Sequence, residues 1–159
     1  GNLDEAERWV AEGLRLANEY GTPGLQPYLL STQGEITLAR GDLVAAEASF
    51  TTGLTLAVQL ELPERIAGIT ANLGLVAIRC GQTALAVHHL STALARADTL
   101  GTRHLAAQLR IWLAPLLPPD EARNVLAVAR ALAGNGERRL LLAEIDRLEQ
   151  TLTTCSRPC

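Results

Sequence analysis

The chain has 159 residues, long enough for one compact domain or a short run of repeats, and its 48% hydrophobic and 19% charged content is unlike that of a disordered chain. Net charge is −3, every basic residue is an arginine and the arginines are scattered, which excludes a basic stripe able to neutralise nucleic-acid phosphates. The longest uncharged runs are too short to span a bilayer and no secretory signal opens the chain, so no membrane contact and a cytoplasmic location are expected.

In chain order the apolar periodicity predicts helices over 3–20, 24–40, 43–60, 64–80, 83–100, 103–114, 120–133 and 137–152, with a tail over 153–159. No segment alternates as a strand does, so the fold class is all-α. Aromatic residues make up only 3% of the chain, and a core so poor in rings must be filled by Leu, Ala, Val and Ile. The helices also repeat. A shift of 40 residues lays Gly1, Gly41 and Gly81 over one another. Behind each follow five columns: Ala6, Ala46 and Ala86; Val10, Phe50 and Leu90; Gly13, Gly53 and Ala93; Leu14, Leu54 and Leu94; Ala17, Ala57 and Ala97. Their spacing puts all five on one helical stripe, where small residues let a neighbour approach and large ones fill the groove beside it. A fourth copy, Ala122, Leu126, Ala129 and Ala133, arrives early, after a connection rebuilt with Pro115, Pro118, Pro119 and Asp120. The alternate helices carry Gly34 and Gly74, each seven residues before a turn glycine, and Arg110 is expected to replace that glycine in the third copy.

With Asn72-Leu73-Gly74, Gly81, Ala86, Leu90 and Ala93, and again with Gly34, Gly41, Ala46, Phe50 and Gly53, the chain resembles the tetratricopeptide repeat (TPR) family. It departs in its period, near 40 residues instead of 34, in Gln33 where Leu is usual, and in prolines displaced to Pro23 and Pro63. The long period resembles the repeat regions of bacterial signalling ATPases and maltose-activator-type transcriptional regulators. The resemblance implies a right-handed superhelical solenoid of antiparallel helix pairs: a second helix at 3–20, pairs over 24–60, 64–100 and 103–133, and a terminal helix at 137–152. On that last helix Glu144, Asp146, Arg147 and Glu149 would form a polar cap, with Arg138 and Arg139 facing solvent. The lack of methionine and of a partner helix before Asn2 leads to the expectation of a segment of a longer protein.

Little in the sequence carries chemistry. His88 and His89 are adjacent, so on a helix they point about 100° apart and do not chelate one metal together. His104 stands alone. No zinc-protease, phosphate-loop, CxxC or nucleophile-elbow motif occurs. Cys155 and Cys159 read as a plain reduced tail. No enzyme activity, cofactor or metal is therefore expected.

In this family the first helix of each pair lines the concave face. The resemblance thus implies a partner-binding surface of Tyr28, Thr32 and Glu35, then Asn72, Leu75 and Arg79, then His104 and Gln108, with Ser31, Ala71 and Ile111 also turned inward. Asn72 is the most specific of these, because its amide both donates to and accepts from an extended peptide backbone. Arg79 suits a carboxylate. The expected function is a protein- or peptide-binding scaffold, a C-terminal regulatory segment of a larger bacterial signalling or transcription-regulatory protein. The alternatives are an effector-sensing module with a small molecule or signalling peptide in the groove, and self-association as a homodimer through the open N-terminal edge.

Overall fold

The computed structural model describes residues 2–134 and 138–155, with backbone alone for 154 and 155. Among them the chain is all helix and turn: α1 (Leu3–Glu19), α2 (Gln26–Arg40), α3 (Leu43–Gln59), α4 (Pro63–Arg79), α5 (Thr83–Thr99), α6 (Arg103–Leu113), α7 (Pro119–Ala133) and α8 (Arg139–Cys155). A 3-10 turn, Pro23–Leu25, leads into α2, and another, Ala114–Leu116, follows α6. The helix α8 runs on through residues expected in the tail. The predicted start at Glu137 and the terminal Cys159 lie outside the described residues.

The helices start and stop for local reasons. Asn2 caps α1, its side chain accepting from the Glu5 N–H at 3.3 Å, and Asp42 caps α3, accepting from the Ala45 N–H at 3.0 Å. Proline stands at the start of α4 and α7, where its missing N–H costs nothing. The ends follow a twenty-residue rhythm. Gly21, Gly41, Glu61, Gly81 and Gly101 all have positive φ. At each, two backbone N–H groups fold back onto the last helical turn, as with Gly41 onto Leu38 and Asp42 onto Thr37. This is the left-handed stop that glycine favours, and Glu61 adopts it at φ 52° despite its side chain.

The chain forms two compact units, Gly1–His89 and Leu90–Cys159, with α5 contributing to both. In the first, α1 to α4 pack as antiparallel neighbours. Ala46, Phe50, Ala57, Ile69, Leu73 and Val76 make a buried cluster, with Leu38, Leu54, Leu62 and Ile66 around it. Close approach is built in at Gly34. A Cβ there would lie 2.5 Å from Cε1 of the fully buried Phe50, so the ring needs the bare backbone. Across α1 and α2, Arg40 donates to Glu7 at 2.7 Å and also to Asp4.

In the second unit the core is Ala107, Ile111, Ala114, Ala122, Leu126, Ala129, Ala133, Leu141 and Ile145, flanked by Trp112, Leu117, Val125 and Leu148. The small position of the alternate helices is Ala114 here, not Arg110. It lies eleven residues after the first helical residue Arg103, as Gly74 does after Pro63, and is buried with Leu126. Arg110 sits one turn earlier, half-buried, and its Nη2 donates to Asp98 at 2.8 Å. On α8, Asp146 and Glu149 hold Arg130 of α7, at 2.5 and 2.9 Å, and these bonds raise its pKa. The expected solvent-facing cap is thus half a clamp. Arg138 likewise turns back, its Nη1 donating to the Leu132 carbonyl at 3.0 Å, because the end of α7 leaves carbonyls without helical partners.

Candidate interaction face on the first unit

Helices α2 and α4 touch side by side, and two contacts fix their register. The Arg65 guanidinium lies 4.1 Å from the centroid of the Tyr28 ring. Seven residues further along both helices, Asn72 Nδ2 donates to Glu35 Oε1 at 3.0 Å. Each pair is separated by 37 residues, so the two helices run parallel with their polar faces aligned. The stripe along α4 is Arg65, Gly68, Asn72, Leu75 and Arg79, at helical intervals of three and four. The stripe on α2 is Tyr28, Thr32 and Glu35.

Six of the expected residues therefore share one face. Tyr28 is 44% exposed, leaving ring surface free beside the arginine. Thr32 is exposed, and its hydroxyl donates to the Tyr28 carbonyl of its own helix at 3.1 Å. Glu35 is exposed and accepts from the buried Ser31 hydroxyl at 3.3 Å as well as from Asn72. Asn72 and Leu75 are half-buried. With its amide N–H directed to Glu35, Asn72 keeps its carbonyl oxygen for a further donor. Arg79 is exposed at the end of α4, and its Nη2 stands 3.9 Å from where a Cβ on Gly41 would be, beside the C-terminal end of α2. His104, exposed, and Gln108, half-buried, lie four residues apart on α6 in the second unit.

Three inward positions are corrected. Ser31, Ala71 and Ile111 are each only 1% exposed, so they form core and not surface. Ser31 and Ala71 each precede a face residue, Thr32 and Asn72, and lie on the buried side of the same helices. Arg65 was not among the expected residues. The signal for it is the α4 stripe itself, in which Arg65 precedes Asn72 by two turns.

Chemical groups elsewhere are sparse. The rings of His88 and His89 lie 5.7 Å apart, and burial, followed by the neighbouring His88, lowers the pKa of His89, with Glu47 pulling the other way. Among the described residues no group of three or more His, Cys, Asp or Glu side chains is placed to hold a metal ion. Among the same residues no helix is long and apolar enough to cross a membrane. Surface hollows lie on α1, lined by Glu5, Arg8, Trp9 and Glu12, and at the end of α8, lined by Ala114, Pro115, Leu117, Leu148, Thr151 and Leu152. Neither includes a residue of the α2–α4 face.

No protein-family model matches the chain, and no curated protein does. Among solved structures it is similar to the crystal structure of BtubC (BKLC) from P. vanneervenii, a helical-repeat protein, with a TM-score of 0.80 at 21% identity. The likeness covers 96% of this chain and 65% of that one, so the chain spans less than two thirds of BtubC's length. At that identity it speaks for the fold alone: an all-helical chain similar to a helical-repeat protein.

Proposed function

We propose that the chain is a non-catalytic docking scaffold of the TPR type, a right-handed solenoid of helix pairs, which takes a protein or peptide against the paired faces of α2 and α4. The observation that carries this reading is the parallel register of those helices, which aligns Tyr28 with Arg65 and Glu35 with Asn72. The result is a strip of mixed polar and apolar character, open along its length. Such a strip suits an extended segment, whose backbone offers donors and acceptors at intervals and whose side chains reach both helices. The recurring small-and-large columns, with Ala46, Phe50 and Ala57 fully buried, support stacked pairs as the scaffold. A regulatory segment of a larger bacterial, cytoplasmic protein remains the context this reading suits.

Peptides selected from a random display library against the purified chain provide the test. Asn72→Ala with Arg79→Ala should weaken the selected peptides roughly tenfold or more, the effect of losing a charged and a neutral hydrogen bond, while the helical content stays the same. Affinities untouched by the double substitution would remove this face as the docking strip.

A further inference from the structure

Arg65 is held differently from the arginines that pair with carboxylates of the chain. Arg15, Arg40, Arg110, Arg130 and Arg147 each meet a carboxylate of their own chain. Arg65 meets none among the described residues. Its Nε is buried without a hydrogen-bond partner, and its guanidinium is laid on the Tyr28 ring. A ring face attracts the cation but supplies no acceptor for its N–H groups. The protein therefore holds a flat, partly dehydrated cation in place, with no carboxylate among the described residues paired to it. Beside it the backbone of Gly68 is bare, since a Cβ there would meet nothing within 4 Å. That leaves room for an incoming chain to lie close to α4. The acidic Glu35 stands seven residues along α2, about 10 Å by helical rise, with hydrogen bonds from Ser31 and Asn72 already on its carboxylate.

We propose that Arg65, stacked on Tyr28, is the anchor for an acidic side chain of the docked peptide, an assignment that rests on the docking reading above. The planar Nη edge matches a carboxylate in a two-pronged bond. The stacked ring fixes the plane in advance, so little side-chain freedom is lost on binding. Glu35 disfavours an acid at the middle of the strip, level with Asn72, where it would face a like charge.

The test uses fluorescein-labelled octapeptide pools in which one position at a time is Glu, Gln or Lys and the rest are mixed, with binding to the full chain followed by fluorescence anisotropy. One position should favour Glu over Gln by roughly ten- to a hundredfold, the range for a charged hydrogen-bonded pair. Arg65→Gln should abolish that preference, and Arg65→Glu should turn it toward Lys. Arg65→Lys keeps the charge and stem and loses the fork, so it should retain the preference at reduced affinity. It also serves as the readout if the neutral variant does not fold. Acidic preference that persists in Arg65→Glu, or neutral pools that bind the native chain as tightly as acidic ones, would overturn the anchor while leaving the docking strip standing. Failure of every pool to bind the native chain would overturn both.

Discussion

A single half-buried imidazole gives the fold a pH response. Burial, the largest influence on His89, disfavours its charged form and sets its folded pKa below the ordinary 6.5, with His88 adding to the effect and Glu47 of α3 opposing it. The unfolded chain then binds the proton more readily than the folded one. The stability this group contributes is complete above the unfolded pKa and is lost as pH falls through the lower folded value. Melting temperature should therefore decline as pH falls below the ordinary imidazole value of 6.5, before the carboxylates begin to titrate. His89→Gln should flatten that decline, and parallel melting curves for the two proteins would show that another group is responsible.

Helix ends offer a sharper comparison, because one turn conformation recurs at 21, 41, 61, 81 and 101 and only one of the five carries a side chain. An L-residue in the left-handed region is strained by about 1 kcal/mol relative to glycine. Glu61→Gly should thus stabilise the chain by about that amount in urea unfolding, less a few tenths for the extra freedom of the unfolded glycine. A destabilised variant would mean that the exposed Glu61 side chain contributes something the turn geometry does not reveal. The same element scale explains what was legible beforehand. The columns Ala46, Phe50, Gly53 and Ala57 repeat because helix crossings demand small and large residues at fixed steps, and all four are buried. A period of 40 states which positions are equivalent, but not which residues meet. The meeting pairs on α2 and α4 are 37 apart, a consequence of how the helices settle against each other. For that reason Asn72 was foreseeable as a face residue, whereas its bond to Glu35 and the stacking of Arg65 on Tyr28 were not. Arg110 was misplaced for a related reason: the early fourth copy suggests a 36-residue step, but the rebuilt connection after Ala114 takes up the whole difference.

For the whole molecule, the proposed solenoid makes a claim that a single cooperative globule does not. In a stacked array each repeat is stabilised by itself and its neighbours, so a local lesion is felt locally, whereas an all-or-none domain loses every signal together. The chain carries its own reporters. Trp112 packs against the core of the second unit, while Trp9 in the first is 69% exposed and changes environment little on unfolding. In a Trp9→Phe background Trp112 is the sole indole, since the chain has two. Leu126 is fully buried in the same cluster, and Leu126→Ala should cost about 3 kcal/mol there through lost burial and the cavity left behind. In guanidinium the Trp112 transition should then move to lower denaturant than the far-UV helical signal, which averages over both units. If the two transitions stay superimposed after the lesion, the chain unfolds as one block and the repeat-by-repeat account of its stability fails.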